Sequence, residues 1–424
     1  MHRPPAPDTT RRLHCAVFSA EPPDHACALL RVRQPLQRLA AQLSHEWHAS
    51  TTDGAAGDAA VDATLARADL VIVQRFFACR AKRATLDRIL RAGKPVLYET
   101  DDLLDALPPE HYLGAFSRDN RDILIEFVRR CDAVSVSTAP LAAAYRAYHP
   151  TVHVVPNHLD SEHWFGDRLQ RAPARPDGAP CVIGFFGTGT HQADLALVEP
   201  ALARLAARHG AKLAFRFLGC ITPALAALPH SSLAEGWHSY DGFPARLAGE
   251  HIDIGIAPLV DNDLNRCKSD LKWLEYAACG IAGVFSAVAP YARSVRDGLT
   301  GLVVENTADA WFDALDRLVQ DAALRQRLAA AAHAEVRATR TLDSGAERFL
   351  HAYRSTAAAH PAADRADRAD RVWDMVMRYE DRLAAQHARL ARLESELAWV
   401  DNSPPRRLLK RLRALLGRPQ SRPR

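Results

Sequence analysis

The chain has little cysteine, and what it has is scattered: eight residues with no CxxC pair and no His/Cys spacing that would hold zinc. That excludes a disulfide framework and a zinc ribbon, leaving small core residues of a protein from a reducing compartment. Long apolar runs are also missing. No uninterrupted stretch approaches the ~20 residues that span a bilayer, and the opening "MHRPPAPDTTRR" lacks the apolar core of a signal peptide. The chain therefore reads as cytoplasmic. Net charge is small, at +4 over 424 residues, which gives no ground for nucleic acid as a partner. The charge that exists is uneven, because the last twenty residues are strongly basic and contain no acid.

What is present is alternation. "LHCAVFSA" reads as a strand, "LLRVRQPLQRLAAQL" as a helix, "ADLVIVQRF" as a strand and "AKRATLDRILRAG" as a helix. "KPVLYETDD", the helix "DNRDILIEFVRRC", "DAVSVST", a helix from Pro140 and "TVHVVPNHLD" continue the pattern. Near-continuous Val/Ile/Leu runs between helices of ten or more residues mark a parallel sheet covered on both faces. A Pro/Gly/Arg-rich break at 168–180 reads as a linker, after which the alternation restarts with "CVIGFFGTGT". The fold class is α/β, with two Rossmann-like halves over 13–167 and 181–340 and a cleft between them. A helix over 341–358 could return to the first half. Over 370–402, Val372, Val376, Tyr379, Leu383, Gln386, Leu390, Leu393, Leu397 and Val400 follow at steps of four and three, a heptad seam that predicts a coiled coil and a homodimer. The tail 403–424 sets leucines on one face and arginines on the other, which suits the anionic inner face of the cytoplasmic membrane.

Three stretches could carry chemistry. The loop "GFFGTGTH" follows a strand and precedes a helix, so Gly187, Thr188, Gly189 and Thr190 could bring backbone N–H groups to a phosphate. It is no dinucleotide fingerprint, since Gln192 stands where a third glycine is needed, and no Walker A loop, since no Lys-Ser/Thr follows. "LNRCKSDLKWLEYAACGIAGV", from Leu264 to Val284, crowds charge into an apolar helix. With Ser269 as N-cap, Arg266 and Lys268 stand at a helix N-terminus, where cations oppose the helix dipole unless an anionic ligand offsets them. Lys272 is a further donor-binding candidate, unless it pairs with Glu275 or faces the solvent. In "VLYETDDLLDALPPEH", Asp101 and Asp102 fall at the carboxyl end of a strand, where a carboxylate could orient or deprotonate a hydroxyl, or cap a helix. His111 and Arg118 are further candidates for contact with an acceptor.

The run from Asp253 to Asn306 resembles the donor-binding region of the GT-B glycosyltransferases, the large retaining, family 4-like group with many bacterial polysaccharide enzymes. "LEYAACG" is similar to that group's "LEYxAxG", and "VRDGLTGLVV" to its "xxDGxxGxLV"; "VVPNHLD" resembles the end of its first domain. The likeness covers roughly 13–355. It implies two Rossmann-like domains, a nucleotide-sugar donor held mainly by the second, a glycan or lipid-linked acceptor held mainly by the first, and neither metal nor other cofactor. By the resemblance, Glu275 holds the ribose. Cys267 stands where the group often has a second glutamate, so contacts to the sugar would come from backbone or neighbours such as Asn265. The Arg/Lys pair usual after the first strand of the second domain is also missing, which leaves Arg266 and Lys268 as the diphosphate cations.

The leading expectation is a retaining, metal-independent transferase of cell-surface polysaccharide synthesis. Two others stand beside it: a metal-dependent GT-A-type enzyme using Glu99, Thr100 and Asp101, and a degenerate scaffold in which Cys267 marks lost activity.

Overall fold

A computed structural model describes residues 12–49, 55–109, 111–166, 178–234, 239–358 and 370–401. The chain divides into two compact units, Met1–Arg368 and Ala369–Arg424. The linker residues 168–177, the tail 403–424 and residue 402 of the expected coiled coil lie outside the described residues.

The first unit is built on two six-stranded parallel sheets, which is the doubly wound α/β class expected. The first contains β1 (Leu13–Ser19), β2 (Leu43–Ala49), β3 (Leu70–Gln74), β4 (Val96–Thr100), β5 (Ala133–Val136) and β6 (Val152–Val154), in the order β2-β1-β3-β4-β5-β6. The second contains β7 (Cys181–Phe186), β8 (Leu213–Leu218), β9 (Ser231–Ala234), β10 (Ile254–Ala257), β11 (Ala282–Ser286) and β12 (Leu302–Val304), in the order β12-β11-β10-β7-β8-β9. Central strands such as β3 and β7 are buried at every position, so both faces must be apolar.

Each sheet reverses direction once, between β1 and β3 in the first and between β7 and β10 in the second. Connections leave to opposite faces at such a point, and a crevice opens beyond the carboxyl ends of the two strands. The helix Leu342–Ala358 packs Leu342, Phe349, Leu350 and Tyr353 into the core of the first sheet, against Cys15, Val17, Leu70 and Leu97.

Several local expectations change. The helix expected from Leu29 is a π-helical turn, Leu29–Arg33, followed by an α-helix that stops at Arg38. Leu43 then opens β2, whose polar "LSHEWHA" pattern belongs to an edge strand that periodicity did not reveal. The helix expected after "GTGTH" is two, Gln192–Ala196 and Glu199–His209, with Pro200 in the first turn of the second. Ser269 is not a helix cap. Asn262 caps a short helix, Asp263–Cys267, and Asp270 precedes a second, Leu271–Ala278.

The second unit contains the helix Arg371–Asp401, on which Val372, Tyr379, Leu390 and Leu393 of the heptad seam are exposed. No helix among the described residues is long and apolar enough to cross a membrane.

Candidate active site

The carboxyl ends of both sheets open on one cavity of about 620 Å³. From the second sheet come the loop Gly187–His191 after β7, Gly219 after β8, Leu259 after β10, and Lys268, Lys272 and Glu275 from the segment between β10 and β11. From the first come Glu21, Asp24 and His25 after β1, Arg75 and Phe76 after β3, and Asp101 and Asp102 after β4.

The second-sheet wall is cationic and organised by one carboxylate. Asp194 is buried and accepts from the Val260 amide at 2.7 Å, from Asn265 Nδ2 at 3.0 Å and from His191 Nδ1 at 2.8 Å. It therefore fixes the glycine loop to the loop after β10. His191 Nε2 lies 3.4 Å from Lys272 Nζ. Burial, then the lysines 272 and 268, push His191 down to about 3, so it is a neutral imidazole whose Nε2 can accept from the ammonium. Lys272 also lies over the rings of Phe185 and Phe186, at 5.3 and 5.2 Å. Burial, opposed by Glu275 and reinforced by Lys268, brings Lys272 down to about 8. An ammonium left partly dry in this way gains from any anion that enters. Glu275 is buried, accepts from the Tyr240 hydroxyl, and is raised to about 7 by its burial.

The first-sheet wall is built around Arg75, whose φ of 47° lies in the left-handed region that a non-glycine residue rarely adopts. Tyr98 Oη donates to its carbonyl at 3.3 Å. The guanidinium is held by Asp101, by Asp102 at 3.1 Å and by Glu21 at 3.2 Å. His25 reaches Glu21 at 3.1 Å. Glu21, His25 and Cys27 are a group that could gather round a cation, with ligand atoms within 4.8 Å of one another. Arg75 already occupies Glu21 and would repel a metal ion there.

The candidate residues divide clearly. Gly187, Thr188, Gly189, Thr190, Lys268, Lys272, Glu275, Asp101, Asp102 and His111 all line the cavity. Arg266 does not: it ends the short helix Asp263–Cys267, half-exposed, and pairs with Asp261 at 2.7 Å and Asp263 at 3.3 Å. A cation at a helix C-terminus needs no ligand to offset the dipole, which removes the reason for placing a diphosphate against it. Asn265 is buried behind the loop, donating to Asp194 and to the Val260 carbonyl at 2.9 Å. Arg118 is exposed and stands beside Asp119. Ser269 Oγ accepts from Asn157 Nδ2 at 2.9 Å, across the two halves.

Cys267 is buried outside the cavity lining, with its carbonyl accepting from Thr138 Oγ1 at 2.7 Å. Glu99 cannot share a metal with Asp101, because Arg31 Nε donates to its Oε1 at 2.8 Å inside the core. Sequence reasoning missed Glu21, His25, Arg75, Asp194 and Tyr240. A polar residue and then a charged one after four apolar strand residues, as in "LVIVQR", was the available signal for Arg75.

Two doubly wound domains with their switch points on one cavity define the fold of the GT-B glycosyltransferases, and the chain has that fold. It is similar to Anabaena HepE in complex with UDP and glucose, at 13% identity and a TM-score of 0.61, over 81% of this chain and 100% of that one. It is similar to sucrose-phosphate synthase from Thermosynechococcus elongatus, at 14% identity and a TM-score of 0.60, over 82% of this chain and 100% of that one. A glycosyltransferase from Rickettsia africae matches at 12% identity and a TM-score of 0.56, over 82% and 98%. No protein-family model and no curated protein matches the sequence.

Proposed function

We propose that the chain is a glycosyltransferase that moves a sugar from a nucleotide-sugar donor to a glycan or lipid-linked acceptor, with retention and without a metal. The observation that carries this reading is the polarity of the cavity shared by the two sheets: lysines and a glycine loop on one wall, carboxylates on the other. In this reading the diphosphate lies against Lys268, Lys272 and the amides of Thr188, Gly189 and Thr190, while the Gly187 amide donates to the Leu218 carbonyl at 3.1 Å. Cations in a poorly hydrated cleft stabilise a departing diphosphate far better than they would in water. Glu275, whose carboxylate already accepts from Tyr240, receives the ribose hydroxyls. Asp101 and Asp102 face the acceptor, and Arg75 fixes their direction. With Lys268 and Lys272 against the departing diphosphate, front-face departure assisted by that diphosphate is the retaining route these residues favour.

The UDP and glucose of the HepE complex make uridine the first nucleoside to test. The exposed seam on Arg371–Asp401 favours a coiled-coil homodimer. The basic tail favours a peripheral place on the inner membrane surface and a role in cell-surface polysaccharide synthesis. A thermal-shift screen against UDP, GDP and ADP tests the core of the reading. A ligand at 100 times its Kd adds about 2.7 kcal/mol, and Glu275→Ala should weaken binding about tenfold or more by removing a charge-assisted hydrogen bond. No stabilisation by any nucleoside diphosphate would sink the proposal.

A further inference from the structure

We infer that the acceptor enters the cavity as a neutral or amino sugar, with no phosphate or carboxylate near its reacting end. This rests on the donor reading above, which assigns the cationic wall to the diphosphate.

The first-sheet wall presents four carboxylates, Glu21, Asp24, Asp101 and Asp102, against one guanidinium and two imidazoles, His25 and His111. None of these three groups offers a spare positive charge to an incoming anion: His111 Nδ1 accepts from the Leu113 amide at 3.1 Å, which only the neutral ring can do. Arg75 is only 8% exposed at its side chain and is already bound by Asp101, Asp102 and Glu21. The hydrogen bond from His25 to Glu21 raises the imidazole, and the same carboxylate takes up its charge. An anionic acceptor would therefore shed water on entering and meet a wall on which four carboxylates outnumber the cations that hold them. Hydroxyl and ammonium groups donate to carboxylates and meet no such penalty.

A second, independent observation points to a sugar rather than to a small cation. Phe76, His111 and Tyr112 line the same side of the cavity. Tyr112 is 75% exposed and stacks on His111, with ring centroids 4.8 Å apart and 30° between planes. Phe76 meets Phe116 edge-on at 5.2 Å. Amphipathic rings held open at a cavity mouth suit a ligand with an apolar C–H face and a polar rim, which is the surface of a pyranose. For a lipid-linked acceptor, the lipid diphosphate must then lie outside the cavity, beyond at least one sugar.

The test uses the full chain with saturating UDP, GDP or ADP, whichever stabilises it, on a printed glycan array. The array carries matched pairs that differ only by a phosphate or a carboxylate on the terminal sugar. Neutral and amino-terminated glycans should bind about tenfold or more tightly than their anionic partners. Asp24→Lys, a change at an exposed position, should narrow that gap about fivefold. Equal or stronger binding of the anionic partners overturns the inference, as does binding of no glycan by protein that a nucleoside diphosphate stabilises. If none of the three stabilises it, the donor reading fails first, and the inference falls with it.

Discussion

Lys272 gives the sharpest test of the donor site, because its charge is conditional. Burial opposed by Glu275 and reinforced by Lys268 holds it down to about 8, so the ligand-free protein loses this ammonium as pH rises through that value. A bound diphosphate favours the charged form and would return the group towards its ordinary ~10.4. Binding then takes up a proton above pH 8, and affinity must fall as pH rises. Between those two limits Kd grows about tenfold from pH 7 to pH 9, or ~1.4 kcal/mol. Because the cavity admits water, a three- to tenfold change is expected.

The other groups facing Lys272 do not produce the same signal. His191, at about 3, is neutral throughout. A terminal phosphate, with its second ionisation near ~6, is already a dianion. Glu275, raised to about 7, ionises at the start of the range; Glu275→Gln removes that titration along with a charge that favours the ammonium, so the slope should keep its sign and steepen. The assay is titration calorimetry of the stabilising nucleoside diphosphate at both pH values, in buffers of different ionisation enthalpy that report the proton. Lys272→Arg should bind with no slope, and Lys272→Met should bind weakly at both. Equal affinity of the native protein at pH 7 and 9, with no proton taken up, would refute the assignment.

Two predictions concern the scaffold. Arg31 holds Glu99 and reaches the Val155 carbonyl and Asn157 Oδ1 at 2.6 and 2.9 Å. Arg31→Met should destabilise by about 3–5 kcal/mol by stranding a buried carboxylate, and adding Glu99→Leu should recover most of it in urea unfolding; a single-variant loss under ~1 kcal/mol would contradict this. Gly255 lies in β10 under Tyr276, where an added Cβ would meet ring carbon Cζ at 2.6 Å. The ring is fixed by its hydroxyl donating to the Ile256 carbonyl at 2.7 Å, so Gly255→Ala should cost about 1–3 kcal/mol in thermal unfolding, and an unchanged midpoint would show that the ring yields.

Legibility followed burial. β3, β4, β7 and β10 were plain in the sequence because a strand covered on both faces must be apolar along its whole length. The edge strands β2 and β9 were not, because only part of each is covered and polar residues are tolerated there. The same division runs through the site. The glycine loop, Glu275 and the Asp101–Asp102 pair stood in recognisable local patterns and line the cavity. Arg266 and Lys272 stand six residues apart in one charged stretch, and the sequence favoured Arg266 for the diphosphate, yet Arg266 pairs with Asp261 at the surface and Lys272 lines the cavity.

By itself, then, the chain's order of apolar runs determined two parallel sheets, because periodic burial is a property of consecutive residues. Only the tertiary structure decided which charges share a wall. Arg75 meets Glu21 and Asp101, and Asp194 meets Val260 and Asn265, across separations of tens of residues. Electrostatic partnership depends on distance in space, and no local pattern encodes that.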